Sequence, residues 1–318
     1  MASVEKDEEY DVVVIGAGPG GLTAGIWCAE RGLKVLILEG GSVGGLSITL
    51  FPEKLIPNYP GFSDGVLAKD LVKDWLKKSQ DAMVEIRKER VVEITPEKIV
   101  KTTEGEYRSK IVIIATGNRP KELGVPGEAD FNTLDKGVYY YMTDPGIFEG
   151  KKVLVVGGGD TAVDAALDLK DTAEEITIIH RRGQFRALPK NVKKMQMEGK
   201  IRILLNTELV EITGDEEVEG VVLKDNKKDR FDLAVDKVVL AVGMTPNNEI
   251  FEKLGLKTDD KGLIVTDNAQ RTSIKGIYAV GDISSASGGF ELIIAAVAQG
   301  AIAACHVFLE TMQPYWAG

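Results

Sequence analysis

One local pattern occurs twice in this chain and sets what it can become. A β-branched run enters a glycine-rich turn, a helical stretch follows, and a second β-branched run closes the unit. In the first copy, Tyr10–Ile15 (YDVVVI) leads into Gly16-Ala17-Gly18-Pro19-Gly20-Gly21, then LTAGIWCAERG with Gly32 as its stop, then Lys34–Leu38 and Glu39. In the second, Lys152–Val156 (KVLVV) leads into Gly157-Gly158-Gly159-Asp160-Thr161-Ala162, then VDAALDLKD, then Glu175–Ile179 (EITII). Near-continuous apolar runs suit parallel strands covered on both faces. Each copy is a complete β-α-β unit, and their first glycines stand 141 residues apart. Two dinucleotide-binding modules in one chain are therefore expected.

Further buried strands are expected at Lys110–Ala115, Lys237–Ala241 and Gly276–Val280, and a long Ala-rich helix over Glu291–Met312. The expected fold is α/β: two Rossmann-like, three-layer dinucleotide-binding domains, the second inserted into the first. The boundaries fall near Asn118–Arg119 and Gly243–Met244. That makes 1–118 with 244–318 one discontinuous domain and 119–243 the other.

Composition narrows the function classes. A net charge of −10 argues against nucleic-acid binding, which needs a phosphate-neutralising basic surface. Cys28 and Cys305 are the only cysteines, and His180 and His306 the only histidines. That excludes a disulfide framework and makes a Cys- or His-rich metal site an expected absence. A reducing, cytoplasmic setting is expected. No membrane span is expected, and the acidic N-terminus lacks the apolar core of a secretory signal.

The glycines carry the chemistry. In GxGxxG (Gly16, Gly18, Gly21) the first permits a tight turn, the second lets the backbone approach a pyrophosphate, and the third allows close helix–strand packing. The helix N-terminus then faces the phosphates. Glu39, at the end of the next strand, is placed to bind ribose hydroxyls. The second motif is GxGxxA (Gly157, Gly159, Ala162), and its second strand runs into His180-Arg181-Arg182, with Arg186 four residues on. Positive charge there suits the 2′-phosphate of NADP, which an acid would repel. His180 is either a phosphate-site residue or a packed strand end. Gly281-Asp282 is compatible with a carboxylate near a flavin ribityl or phosphate, and equally with a plain turn.

Taken together, the two modules, Ala115-Thr116-Gly117, Ala241-Val242-Gly243 and Val280-Gly281-Asp282 resemble the two-domain flavoprotein disulfide-reductase superfamily. GGGDTAVD (Gly157–Asp164) with HRRGQFRA (His180–Ala187) is similar to low-molecular-weight thioredoxin reductases and their relatives. The resemblance covers Tyr10–Leu309. It implies FAD at Gly16, Gly18, Gly20, Gly21, Glu39, Gly44, Gly45, Leu46, Tyr59, Thr116, Gly117, Gly281 and Asp282. It implies NADPH at Gly157, Gly159, Asp160, Thr161, His180, Arg181, Arg182 and Arg186, and a homodimer. Tyr59 is either a flavin-stacking residue or a packed loop aromatic.

Thioredoxin reductases of this type carry a Cys-x-x-Cys pair just before the second module. The matching positions here are about Tyr141 and Asp144, so no dithiol relays electrons to a disulfide. The stretches Leu50–Lys54, Pro60–Phe62 and Tyr139–Val153 resemble the thioredoxin-reductase-like ferredoxin–NADP reductases, which also lack the pair; Leu46 departs from the glutamine usual there. The implied activity is hydride transfer from NADPH to flavin and release of electrons to ferredoxin or flavodoxin, with no catalytic side chain named and no metal. Two alternatives stay open: an NADPH oxidase or quinone/dye reductase, and an FAD- and NADP-holding redox sensor. Whether Tyr315 or Trp316 stacks on the flavin is also open.

Overall fold

The computed structural model describes residues 9–46, 52–53, 55–132, 136–141 and 144–314, apart from the side chain of Glu252. Tyr315, Trp316 and part of the 50–54 stretch lie outside the described residues. The chain divides into two compact units, Met1–Arg119 with Pro246–Gly318, and Pro120–Thr245.

The first unit is built on a seven-stranded sheet. Its order is Glu85–Arg87, Val35–Leu38, Glu9–Ile15, Glu106–Ile114, Ile99–Thr102 and Val91–Ile94, and Ile277–Ala279 also pairs with Glu106–Ile114. The Glu9–Ile15 strand is parallel to both neighbours, with Val12 opposite Val35 and Ile111. Successive side chains alternate between faces. Val12 and Val14 pack with Leu22, Ala24 and Cys28 of the helix Pro19–Ala29 and with Ala303, Ala304 and Val307 of the helix Ile293–Met312. Val13 and Ile15 face the opposite core, with Val100, Tyr107 and Phe251. Burial on both faces is why this strand reads as an unbroken apolar run.

In the second unit five parallel strands run in the order Val138–Tyr139, Lys237–Ala241, Lys152–Gly157, Glu175–His180 and Ile201–Leu205. Val153, Val155, Ile176 and Ile178 pack on one face against Ala162 and Ala166 of the helix Asp160–Asp168 and Met195 of the helix Pro189–Met197. Leu154, Val156 and Ile179 face the other core, with Leu209 and Leu223 from an antiparallel sheet of Glu208–Gly214, Val218–Lys224 and Arg230–Ala234. Helices, parallel sheet and antiparallel sheet make three layers.

The C-terminal helix starts at Ile293, two residues later than expected. Leu292 is extended, and the Glu291 carboxylate is held outside the helix by the Asn118 amide at 3.1 Å. Among the described residues this helix alone is long and apolar enough to cross a membrane by length and composition, a feature the sequence reading did not register. One of its faces is given over to close packing on the helix Pro19–Ala29: a Cβ on Gly300 would sit 2.4 Å from the Gly20 carbonyl oxygen. Small apolar residues are what that approach demands.

Candidate functional site: two dinucleotide cradles

Three chain segments converge on the first glycine turn. Gly16 has φ +102°, and a Cβ there would meet the Ala115 carbonyl oxygen at 2.3 Å and the Thr116 nitrogen at 3.3 Å. A Cβ on Gly21 would lie 2.0 Å from the Gly16 carbonyl oxygen, and one on Gly20 would lie 3.5 Å from the Gly281 nitrogen. At Gly16 and Gly21 only glycine fits, whereas 3.5 Å is an ordinary contact. Gly18 is different. Its φ is −75° and a Cβ there would touch nothing within 4 Å, so space is open in front of the turn. Gly18 is also the helix N-cap and makes no side-chain cap bond, leaving first-turn N–H groups for an anion. The residues present therefore fit a pyrophosphate.

Polar groups complete this cradle. The Glu39 carboxylate accepts from the Ala17 N–H at 2.7 Å and the Gly41 N–H at 2.6 Å, which fixes it at the strand end beside the turn. Gly44 donates to the Ala17 carbonyl at 2.8 Å, and a Cβ on Gly45 would lie 3.2 Å from the Gly18 Cα. The Gly44-Gly45 loop thus lies over the turn. Thr116 and Gly117 are clasped by Asn247: its amide donates to the Thr116 carbonyl at 2.8 Å, and its N–H to the Gly117 carbonyl at 3.0 Å. The structure does not bring Leu46 or Tyr59 into this hydrogen-bonded set. Leu46 is partly buried after Gly45, and the Tyr59 ring lies 6.0 Å from that of Phe62.

Gly281-Asp282 is anchored by a residue the sequence reading missed. The buried Gln299 side chain accepts from the Gly281 N–H at 2.6 Å. A lone glutamine in an apolar helix was the available signal. Burial, with the negative Glu291 nearby, pushes the Asp282 carboxyl up to about 6. Burial also raises Glu291, and the Asn118 hydrogen bond opposes that shift. The Oδ1 atom of Asn118 is buried without a hydrogen-bond partner.

The second cradle repeats the turn with different chemistry. A Cβ on Gly157 would lie 2.3 Å from the Ala241 carbonyl oxygen, while one on Gly159 would touch nothing within 4 Å. Gly159 caps the helix Asp160–Asp168 without a side-chain bond. Arg181, Arg182 and Arg186 are exposed beside it. Their loop is pinned at two points: the Arg186 N–H donates to the Gly158 carbonyl at 2.7 Å, and the Leu188 N–H donates to Asp160 Oδ1 at 2.8 Å. Asp160 therefore holds the arginine loop on the helix, and Thr161 beside it is exposed. His180 is buried at the strand end. An open cleft of about 290 Å³ next to it is lined by Gly183, Phe185, Ala187, Val192, Lys193 and Leu205. An arginine-bearing loop pinned beside an open helix N-terminus fits a phosphate monoester.

The thiols stand away from this chemistry. Cys28 is buried in the helix Pro19–Ala29, and burial pushes it up to about 12. Cys305 is partly buried, with its Sγ 3.4 Å from an Arg31 nitrogen. Where the resemblance places a dithiol, the Tyr141 hydroxyl donates to Met244 Sδ, and Asp144 caps a short 3₁₀ turn by accepting from the Gly146 N–H at 2.8 Å.

Known proteins are similar to this chain over nearly its whole length. A ferredoxin–NADP reductase of Thermus thermophilus is 39% identical over 312 residues, covering 94% of this chain and 92% of that protein. A thioredoxin reductase of Peptoclostridium litorale is 36% identical, covering 93% and 95%. The crystal structure of Lactococcus lactis thioredoxin reductase in its FR conformation superposes with a TM-score of 0.84 at 34% identity, covering 96% of this chain and 100% of that one. The profile of the pyridine nucleotide-disulphide oxidoreductases matches residues 10–300. The chain that carries these two glycine turns thus belongs to the pyridine nucleotide-disulphide oxidoreductase family.

Proposed function

We propose that this protein is an FAD-dependent NADPH oxidoreductase of the ferredoxin–NADP reductase type. It passes electrons between NADPH and a small electron-carrier protein, ferredoxin or flavodoxin, with no protein dithiol between. One observation carries this reading: the chain has two glycine-rich nucleotide turns but no Cys-x-x-Cys, its two cysteines being Cys28 and Cys305. Ferredoxin–NADP reductases are among its relatives over most of the chain.

FAD held in the first cradle would supply a hydride acceptor for NADPH and a donor of single electrons. The chain itself binds and orients. Gly18 and the first-turn N–H groups take the pyrophosphate of FAD, Glu39 a ribose, and Asp282 the polar linker beyond it. Gly159 takes the pyrophosphate of NADPH, and Arg181, Arg182 and Arg186 take its 2′-phosphate. No general acid or base is assigned. The partly exposed apolar residues Trp27, Ile302 and Met312 support a homodimer, and the two free thiols support a reducing cytoplasm. The test is NADPH-driven cytochrome reduction by the purified protein, with and without ferredoxin, against thioredoxin-disulfide reduction. Ferredoxin-dependent reduction without thioredoxin activity is expected; the reverse pattern overturns the reading.

A further inference from the structure

The second cradle contains a buried group with an unmet hydrogen bond, and three arginines lie on the loop that follows it. His180 is only 7% exposed, and its Nε2 has no hydrogen-bond partner. The ring fills the space above Gly158, where a Cβ would lie 2.3 Å from Cε1 and Nδ1. Its face is stacked on Phe185, with centroids 5.7 Å apart and planes at 17°. Buried polar atoms are rarely left unpaired, and an exception calls for a reason.

The surrounding charges supply one. Burial, then Arg186, Arg182 and Arg181, hold the imidazole below its ordinary range. On the neighbouring elements, Asp160 is committed to the Leu188 N–H, Glu208 is exposed at the start of the next strand, and Lys193 lines the cleft with Phe185. Thr207, which follows the adjacent strand, meets His180 through its backbone, its N–H donating to the His180 carbonyl at 3.0 Å. The local field around the ring is therefore positive. A phosphate monoester held by the same arginines brings close to two negative charges and reverses that field.

We propose that His180 is a proton-coupled specificity residue: neutral in the free protein, it takes up one proton when Arg181, Arg182 and Arg186 hold a 2′-phosphate. Selection of NADP(H) over NAD(H) then strengthens as pH falls. This rests on the reading of the three arginines as 2′-phosphate ligands. The proton comes from solvent and goes to the imidazole; no other bond changes. The sign follows from linkage. A group with higher proton affinity in the complex tightens binding below its complexed pKa, and the gain is lost as pH rises through that value. The 2′-phosphate has the opposite sign: bound as a dianion from a partly protonated pool, it releases protons.

The experiment is titration calorimetry of the FAD-loaded protein with NADP⁺ and with NAD⁺, at about pH 7, in PIPES and in Tris, whose ionisation enthalpies differ. Net proton uptake is expected with NADP⁺ and none with NAD⁺. The affinity ratio favouring NADP⁺ should fall about three- to tenfold from about pH 6.5 to about pH 8. In His180→Asn and His180→Gln the uptake should vanish, leaving only the small proton release of the 2′-phosphate, and the ratio should no longer fall as pH rises. Tighter binding of NADP⁺ without proton uptake in the wild-type protein overturns the role of His180 and leaves the arginine reading standing. No preference for NADP⁺ overturns both. The wild-type count decides the matter even where a variant does not fold.

Discussion

The imidazole of His180 occupies the place that a side chain on Gly158 would need, 2.3 Å from a Cβ built there. The two residues are 22 positions apart and each restricts the other. Gly158→Ala should therefore destabilise the second unit by about 1–3 kcal/mol through overpacking. The first cradle should still bind FAD. Gly158→Ala/His180→Ala should recover much of the loss in urea unfolding. A double variant no more stable than the single one would place the clash elsewhere.

Gly18→Ala separates folding from cofactor binding. Its Cβ meets nothing within 4 Å and its φ is ordinary, so the apoprotein should unfold at nearly the wild-type denaturant concentration. The added methyl group points into the space required by the pyrophosphate. FAD affinity should drop at least tenfold, about 1.4 kcal/mol, when followed by flavin fluorescence. Unchanged flavin affinity would remove Gly18 from the cradle.

Replacing Arg181, Arg182 or Arg186 singly by alanine should lower kcat/KM for NADPH by about 10–100-fold, the loss of one charge-assisted contact. The same constant for NADH should change little. Equal losses for both cofactors would place these arginines outside the 2′-phosphate site.

Asp282 gives a pH signature in the FAD-free protein. Its carboxyl is raised from an ordinary 3.8 to about 6 by burial and by Glu291. The sign follows directly: ionisation costs stability, the cost is absent below the unfolded value, and it is complete above about 6. Asp282→Asn should therefore stabilise the apoprotein by about 1–3 kcal/mol near pH 8. The gain should shrink as pH falls through 6 toward 4. Thermal unfolding across that range measures it, and a pH-independent difference would contradict the assignment.

Cys28→Ala/Cys305→Ala should retain NADPH-dependent reduction of one-electron acceptors. Cys28 is buried with a thiol pushed up to about 12, a poor nucleophile at neutral pH. Thioredoxin-disulfide reduction should be undetectable in the parent protein. Thioredoxin activity that disappears in the double variant would require a thiol route.

The sequence alone determined the local parts. Strand, glycine turn and helix follow one another within about 30 residues, so Gly16, Gly18 and Gly21 could be placed by chain order. The arginine loop was legible for the same reason, since it directly follows the strand that carries it. Tertiary structure alone decided what holds these parts in place. Gln299 reaches the Gly281 N–H across 18 residues, and Gly300 beside it lets two helices approach closely. Asn247 clasps Thr116 across 131 residues, and Glu291 meets Asn118 across 173. Asp160, which the motif offered as a cofactor residue, accepts from Leu188 and pins the arginine loop. Sheet register and helix packing set these pairings, and neither leaves a periodic signal in the chain. The unpaired Nε2 of His180 belongs with them, because burial of a strand-end ring depends on what the fold lays over it.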